Sequence, residues 1–330
     1  MRERSSTLGS LPILILFPHS RCNCRCVMCD IWKVTDAEEI SVEELERHAD
    51  DIKDLGVQWV VFSGGEPLMH SDLFRLTEIL RRTGIRTSLL TTGLLLEQHA
   101  EQIVNGIDDV IVSLDGPPQV HDRIRRIPNA FGLLRQGVEA LQSKRDDYPV
   151  MGRCTVQREN HTHLSETIDT ARELGLQSIS FLAADMTSQA FNRPGGWPEQ
   201  RRDAVGLTAP EAESLNAEVE ALIRDYKQSI EEGFVRESPA KLRRIVTSFR
   251  TQLGMAEPVA PRCNAPWTSA VIETDGALRP CFFHEPIGNV REQGLRRALN
   301  SPEAIAFRNG LDVATNPTCQ RCTCSLYWQG

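Results

Sequence analysis

Nine of the ten cysteines in this 330-residue chain fall in two groups, one toward each end. The first is Cys22, Cys24, Cys26 and Cys29. The second is Cys263, Cys281, Cys319, Cys322 and Cys324, and Cys154 stands alone between them. A secreted disulfide scaffold is short and spreads its cysteines through the fold. Close packing as C-x-C-x-C-x-x-C suits thiolates converging on a metal in a reducing cytoplasm. Cys22-x3-Cys26-x2-Cys29 offers three thiolates on one short loop. On a [4Fe–4S] cube, three cysteines leave one iron open to a small molecule. A structural zinc normally takes four protein ligands, a set that Cys24 would complete.

The chain that must position these thiols is long enough to bury a full core without help from metals or disulfides. At 40% hydrophobic and 25% charged it reads as an ordinary globular protein. Its 37 Lys+Arg against 45 Asp+Glu give a net charge of −8, which argues against nucleic-acid binding by bulk charge. No apolar run approaches the roughly 18 residues of a membrane helix. The longest, residues 11–17, is followed by Arg21 and the cysteines rather than a small-residue cleavage site, so a signal peptide is not expected either.

Strand and helix signals alternate through the first half. Strands are expected at 13–17, 57–62, 87–91, 109–114, 150–156 and 178–182. Helices are expected at about 42–55, capped by Ser41 with Glu44, and at 71–83, 97–104, 130–141 and 164–174. Six such β/α units predict a parallel sheet flanked by helices, either doubly wound or barrel-like, with its chemistry at the carboxyl ends of the strands. The unusual motifs sit at those ends. The Cys cluster follows the first strand and Gly64-Gly65-Glu66-Pro67 the second. Thr92-Gly93 follows the third and Ser113-Leu114-Asp115-Gly116 the fourth. Each alone could be a βα turn; four at one rim suggest a ligand site. By alternation, Ser113 and Asp115 face the lumen, as do Arg153, Thr155 and Gln157, while Cys154 faces the helices as core.

These motifs resemble those of radical S-adenosylmethionine (SAM) enzymes. Cys22 to Trp32 looks like the family's CxxxCxxC signature, with Met28 at a usually aromatic position and Cys24 as an extra thiol without a role. Gly64-Gly65-Glu66-Pro67 matches the GGEP loop, which in relatives binds the SAM amino group. Ser113-Leu114-Asp115-Gly116-Pro117 with His121, Asp122 and Arg125 matches the stretch whose strand end contacts the ribose and carboxylate. The resemblance covers about residues 12–185. It implies an α/β fold, a partial (β/α)6 TIM-like barrel with a smaller C-terminal Cys-rich SPASM/twitch domain. Cys22, Cys26 and Cys29 would hold the SAM-binding [4Fe–4S] cluster. Gly64, Gly65, Glu66, Pro67, Thr92, Ser113, Asp115, Arg125, Arg153 and Leu182 would contact the cofactor. Reductive cleavage of SAM would yield a 5′-deoxyadenosyl radical that abstracts hydrogen from substrate. No residue is singled out as catalytic.

Beyond residue 185 the pattern changes. Residues 186–203 form an aperiodic loop, 210–232 reads as helix, and 240–252 as a basic helix whose charges read as a solvated face. The organisation expected is a barrel at 1–207, a helical linker at 208–256 and a Cys-rich domain at 257–330. In that last part Asp275-Gly276 reads as a hairpin turn folding Cys263 and Cys281 together. This resembles a SPASM or twitch extension. Cys263, Cys281, Cys319 and Cys322, or Cys324 in place of Cys322, would hold a second [4Fe–4S] cluster with an electron-transfer role, with zinc as the alternative.

The function expected is oxidation or epimerisation of a small molecule such as a sugar or aminocyclitol. The alternatives are a peptide maturase and a non-catalytic electron carrier, the last opposed by the intact GGEP and SLDG motifs. Expected partners are the substrate and a reductase such as flavodoxin or ferredoxin, with no nucleic acid and no membrane, in the cytoplasm. The loop 186–203 and His284 are expected to shape the substrate pocket.

Overall fold

A computed structural model describes residues 6–329. Six parallel strands follow one another in space as in sequence: β1 (Ile13–Leu16), β2 (Trp59–Phe62), β3 (Arg86–Thr91), β4 (Asp109–Ser113), β5 (Val150–Val156) and β6 (Ser178–Ala183). Between them run α1 (Val42–Asp54), α2 (Leu73–Arg82), α3 (Leu96–Gly106), α4 (Pro118–Arg125), α5 (Ala130–Lys144) and α6 (Leu164–Glu173). Ser41 caps α1 by accepting the Glu44 N–H, as its sequence position predicts.

The sheet does not close into a full barrel. Beyond β1 it continues through β7 (Ser269–Ile272), β8 (Ala277–Arg279) and β9 (Gly288–Asn289), in the order β6-β5-β4-β3-β2-β1-β7-β8-β9. β7 runs parallel to β1, with Ile13 opposite Ser269 and Leu16 opposite Ile272. The C-terminal cysteines are therefore carried by an extension of the same sheet. Ion pairs fix that extension to α1: Arg291 to Glu44 at 2.7 Å, Arg296 to Asp51 at 3.8 Å and Arg296 to Asp54 at 3.9 Å.

The sheet has two different faces. Leu14, Leu16, Val60, Phe62, Val110, Val112, Cys154 and Val156 pack under the helices in the main core. The alternate residues face the lumen and stay partly accessible: Trp59 and Val61, Ile111 and Ser113, Met151, Arg153 and Thr155, Ser180 and Leu182. The helices Ala209–Asp225 and Pro239–Gln252 pack against α6 and β6 respectively. They share the main core through Leu215, Val219, Ile245 and Phe249. No helix among the described residues is long and apolar enough to cross a membrane.

Candidate functional site

The Cys22–Cys29 loop leaves β1 and is anchored by its backbone to the end of α4. Arg25 N–H donates to the Arg125 carbonyl at 3.1 Å and Val27 N–H to that of Ile124 at 3.0 Å. Sequence reading did not place a helix at Pro118–Arg125; its Pro at the first helical position was the available signal. The helix carries Arg125 to the Cys26 sulfur, with Nη1 3.4 Å from Sγ. The same guanidinium pairs with buried Asp115, whose Oδ1 accepts the Thr155 N–H at 2.9 Å. His121, wholly buried, accepts the Asp115 N–H through Nδ1 at 3.2 Å. Burial, and then the charge of Arg125, push that imidazole down to about 3, so it is neutral as the bond requires. The Asp122 carboxylate accepts the N–H of Phe131 at 2.8 Å.

The residues of the SLDG and HDxxR stretches thus bond to one another and to the Cys loop. Asp115 and Arg125, which the sequence placed among the SAM contacts, are committed to a buried ion pair. Removing either partner would leave the other charged and unpaired, a loss on the scale of about 3–5 kcal/mol.

Glu66 shows the same inward commitment. Its Oε2 accepts from Thr92 N–H and Thr92 Oγ1, both at 2.7 Å. Its Oε1 accepts from Thr91 Oγ1 at 2.9 Å and Leu68 N–H at 3.1 Å. The carboxyl is fully buried, and burial raises its pKa against these bonds. Thr92 Oγ1 also lies 3.0 Å from Asn23 Oδ1, which ties this network to the Cys loop. The glycines before Glu66 have a different reason. Gly64 has φ +93°, a conformation that side-chain-bearing residues rarely adopt. A Cβ on Gly65 would lie 2.0 Å from the Arg21 carbonyl oxygen. Gly65→Ala is therefore expected to displace the Cys loop and cost about 1–3 kcal/mol or more. Chemical denaturation and iron content after anaerobic reconstitution measure both effects.

At the first site, the hydrogen bond from Cys24, assisted by Arg125, holds the Cys26 thiol down to about 7 against its burial. Burial pushes Cys29 up to about 12 and Cys22 higher still. These sulfurs ionise readily only beside compensating positive charge, which iron supplies. Beside Cys22, the buried Asn23 amide nitrogen has no hydrogen-bond partner. A cluster-bound ligand is one group that could fill that place, and in this respect the residues present fit the implied cofactor.

All five C-terminal cysteines line one cavity of about 200 Å³, together with Ile13, Ile15, Trp59, Val61, Leu90 and Ile111 of the lumen. Among the described residues that line it, Arg153 is the only Lys, Arg, Asp or Glu. Burial pushes Cys281 up to about 12 and Cys319 to about 11. His284 Nε2 lies 3.4 Å from Cys319 Sγ. Cys322 donates its thiol hydrogen to the Cys324 carbonyl at 2.8 Å, and Arg244 donates to the Cys322 carbonyl at 2.6 Å. Among the described residues no group of three or more His, Cys, Asp or Glu is placed to hold a single metal ion. A cubane differs in binding each thiolate at its own iron.

A wider mouth of about 720 Å³ lies beside Phe17 and shares no lining residue with this cavity. Its walls include Phe17, Gly64, Gly65, Ile31, residues 189–194, and Glu273 and Glu285 of the extension. Phe17 at the mouth and Phe282 in the cavity stand 6.1 Å apart, ring centre to ring centre. Ser113 and Leu182 sit half-buried on the lumen face, and Pro67 is buried at the start of a short turn of helix.

The model of the radical SAM superfamily matches residues 16–180, and that of an iron–sulfur cluster-binding domain, SPASM, matches residues 263–323. AdoMet-dependent heme synthase of Methanosarcina barkeri is 31% identical, over 93% of this chain and 89% of its own. The Fe-coproporphyrin III synthase of the same organism is 26% identical over 94% and 80%. PqqA peptide cyclase of Ruegeria pomeroyi is 27% identical over 92% and 77%. The solved structure of Streptococcus suis SuiB bound to S-adenosylmethionine superposes with a TM-score of 0.65, covering 98% of this chain and 75% of that one. Its 15% identity makes this a likeness of fold. The superfamily's cofactors, SAM with its [4Fe–4S] cluster and an auxiliary iron–sulfur centre, come with these matches. With its cysteine loop at the rim of an open parallel barrel and its second cysteine set on an extension of the same sheet, the chain belongs to the radical SAM superfamily and carries a C-terminal SPASM domain.

Proposed function

We propose that this chain is a radical SAM enzyme acting on an apolar substrate that bears carboxylates, of the iron-tetrapyrrole class. The observation that carries this reading is the lumen: apolar walls with Arg153 as their one charged group. A guanidinium in such a setting selects a carboxylate. The apolar walls offer a sugar or aminocyclitol few hydrogen-bond partners. The two Methanosarcina relatives are named for heme and Fe-coproporphyrin synthesis, which supports the same class. In this reading one carboxylate of the substrate reaches Arg153.

Cys22, Cys26 and Cys29 would hold the first cluster. Cys263, Cys281 and Cys319, with Cys322 or Cys324, would hold the second. When bound, the first cluster with SAM supplies a hydrogen-abstracting 5′-deoxyadenosyl radical. The backbone at Gly64 and Gly65, with Ser113 and Leu182, would border SAM. Glu66, Thr92, Asp115 and Arg125 hold the loops around it. Low-potential electrons would come from a flavodoxin or ferredoxin.

The breadth of the mouth favours one second reading, a peptide substrate, in line with the peptide cyclase relative. The deciding experiment incubates reconstituted protein, SAM and reductant with iron coproporphyrin or with candidate peptides, followed by mass spectrometry. Modified coproporphyrin supports the proposal. Unmodified coproporphyrin together with a modified peptide overturns it. Reconstituted protein should carry about eight irons per chain. About four irons, with zinc at the second site, would contradict the two-cluster assignment. Arg153→Gln should weaken coproporphyrin binding about tenfold or more, measured by optical titration.

A further inference from the structure

The loop between β6 and the helix Glu199–Val205 has no periodicity, yet it packs tightly against the first cysteine loop. Its target is Asp30, the buried neighbour of Cys29. Trp197 Nε1 donates to Asp30 Oδ2 at 2.7 Å, and Asn192 Nδ2 donates to the Asp30 carbonyl at 3.1 Å. Arg201, at the base of that helix, donates to the Val27 carbonyl at 2.6 Å. Lys33 pairs with Asp30 from the other side at 3.0 Å.

Arg193 lies behind Trp197, 3% exposed, with its guanidinium carbon 4.2 Å from the indole centre. Its Nη1 donates to the Asp185 carbonyl at 2.7 Å and pairs with the Asp185 carboxylate at 3.2 Å. Its Nε is buried without a hydrogen-bond partner. From sequence the loop 186–203 is expected to shape the substrate pocket, and neither Trp197 nor Arg193 is given a role at the cluster.

We propose that Trp197 and Arg193 are positioning residues for the first iron–sulfur cluster, Trp197 by holding Asp30, the neighbour of Cys29, and Arg193 by stacking its buried guanidinium on the Trp197 indole. The proposal rests on the assignment of Cys22, Cys26 and Cys29 as ligands. A cluster's reduction potential follows the net charge and hydrogen bonds around it. Reduction adds negative charge, so a nearby buried cation favours the reduced state. A loop that served only as packing would change iron retention and leave the potential of retained cluster alone.

The test is a redox titration followed by EPR on the full reconstituted chain, with the second cluster as internal control. Arg193→Gln should move the first cluster to a more negative midpoint, and Arg193→Lys should restore most of it. Trp197→Phe keeps the ring and deletes the N–H, and should give a smaller shift in the same direction. SAM cleavage at a fixed dithionite concentration should fall in the same order, by about tenfold for Arg193→Gln. Unchanged midpoints in iron-replete variants would overturn the proposal, as would equal shifts in both clusters. A wild-type protein with no first-cluster signal would instead defeat the ligand assignment.

Discussion

Cys26→Ala is expected to abolish SAM cleavage while leaving the C-terminal cluster in place. Cys26 is the middle ligand of the proposed set and the sulfur that Arg125 and Cys24 both address. Its loss leaves two ligands of the motif and a guanidinium aimed at a methyl group. Cys24 lies two positions earlier but is 1% exposed and points at Cys26, so it is not a ready replacement. The Asp115–Arg125 pair survives the substitution, and the fold should survive with it. The C-terminal thiols sit on other elements and should keep their metal. Iron should fall from about eight to about four per chain, and 5′-deoxyadenosine should drop to background by chromatography. Near-normal release would reject Cys26 as a ligand.

Cys281→Ala should have the opposite pattern. The first site is built from β1, α4 and the loops after β2 and β3, and none of its bonds reaches Cys281. Cleavage of SAM should therefore remain measurable. Product formation should fall much further, because Cys281 holds the wall that carries Phe282, Phe283 and His284 into the lumen. A Cys-rich region with few helices draws folding free energy from its metal. Without it, that wall loses its placement relative to Arg153. The ratio of product to 5′-deoxyadenosine should drop by at least about tenfold, the scale on which even outer partners of metal sites act. An unchanged ratio in a folded variant lacking the second cluster would show that this wall does not position substrate.

The parts of this architecture visible in sequence were those with local causes. Residues 150–156 alternate cleanly and form β5 over that span. Ser41 with Glu44 marked the start of α1. The lumen face of β4 and β5 followed from period-two alternation, and Cys154 is core as that alternation requires. α4 was missed because its residues read as part of a motif. The inward turn of Glu66, Asp115 and Arg125 was also invisible, since a charged side chain near a ligand and one buried in a network look alike in sequence. Parallel pairing of β7 with β1 joins residues some 250 positions apart. No local pattern encodes such a partner.

That pairing has a consequence for how the protein is made. β1 leaves the ribosome some 250 residues before β7. Until residue 272 is translated, one edge of β1 has no strand beside it, and its sequence, Ile-Leu-Ile-Leu, is uniformly apolar. An unpaired apolar edge invites strands from other chains. Expression of the barrel alone, cut before Ser269, should yield insoluble protein even though its six β/α units are intact, and supplying residues 257–330 as a separate chain should recover part of the soluble yield.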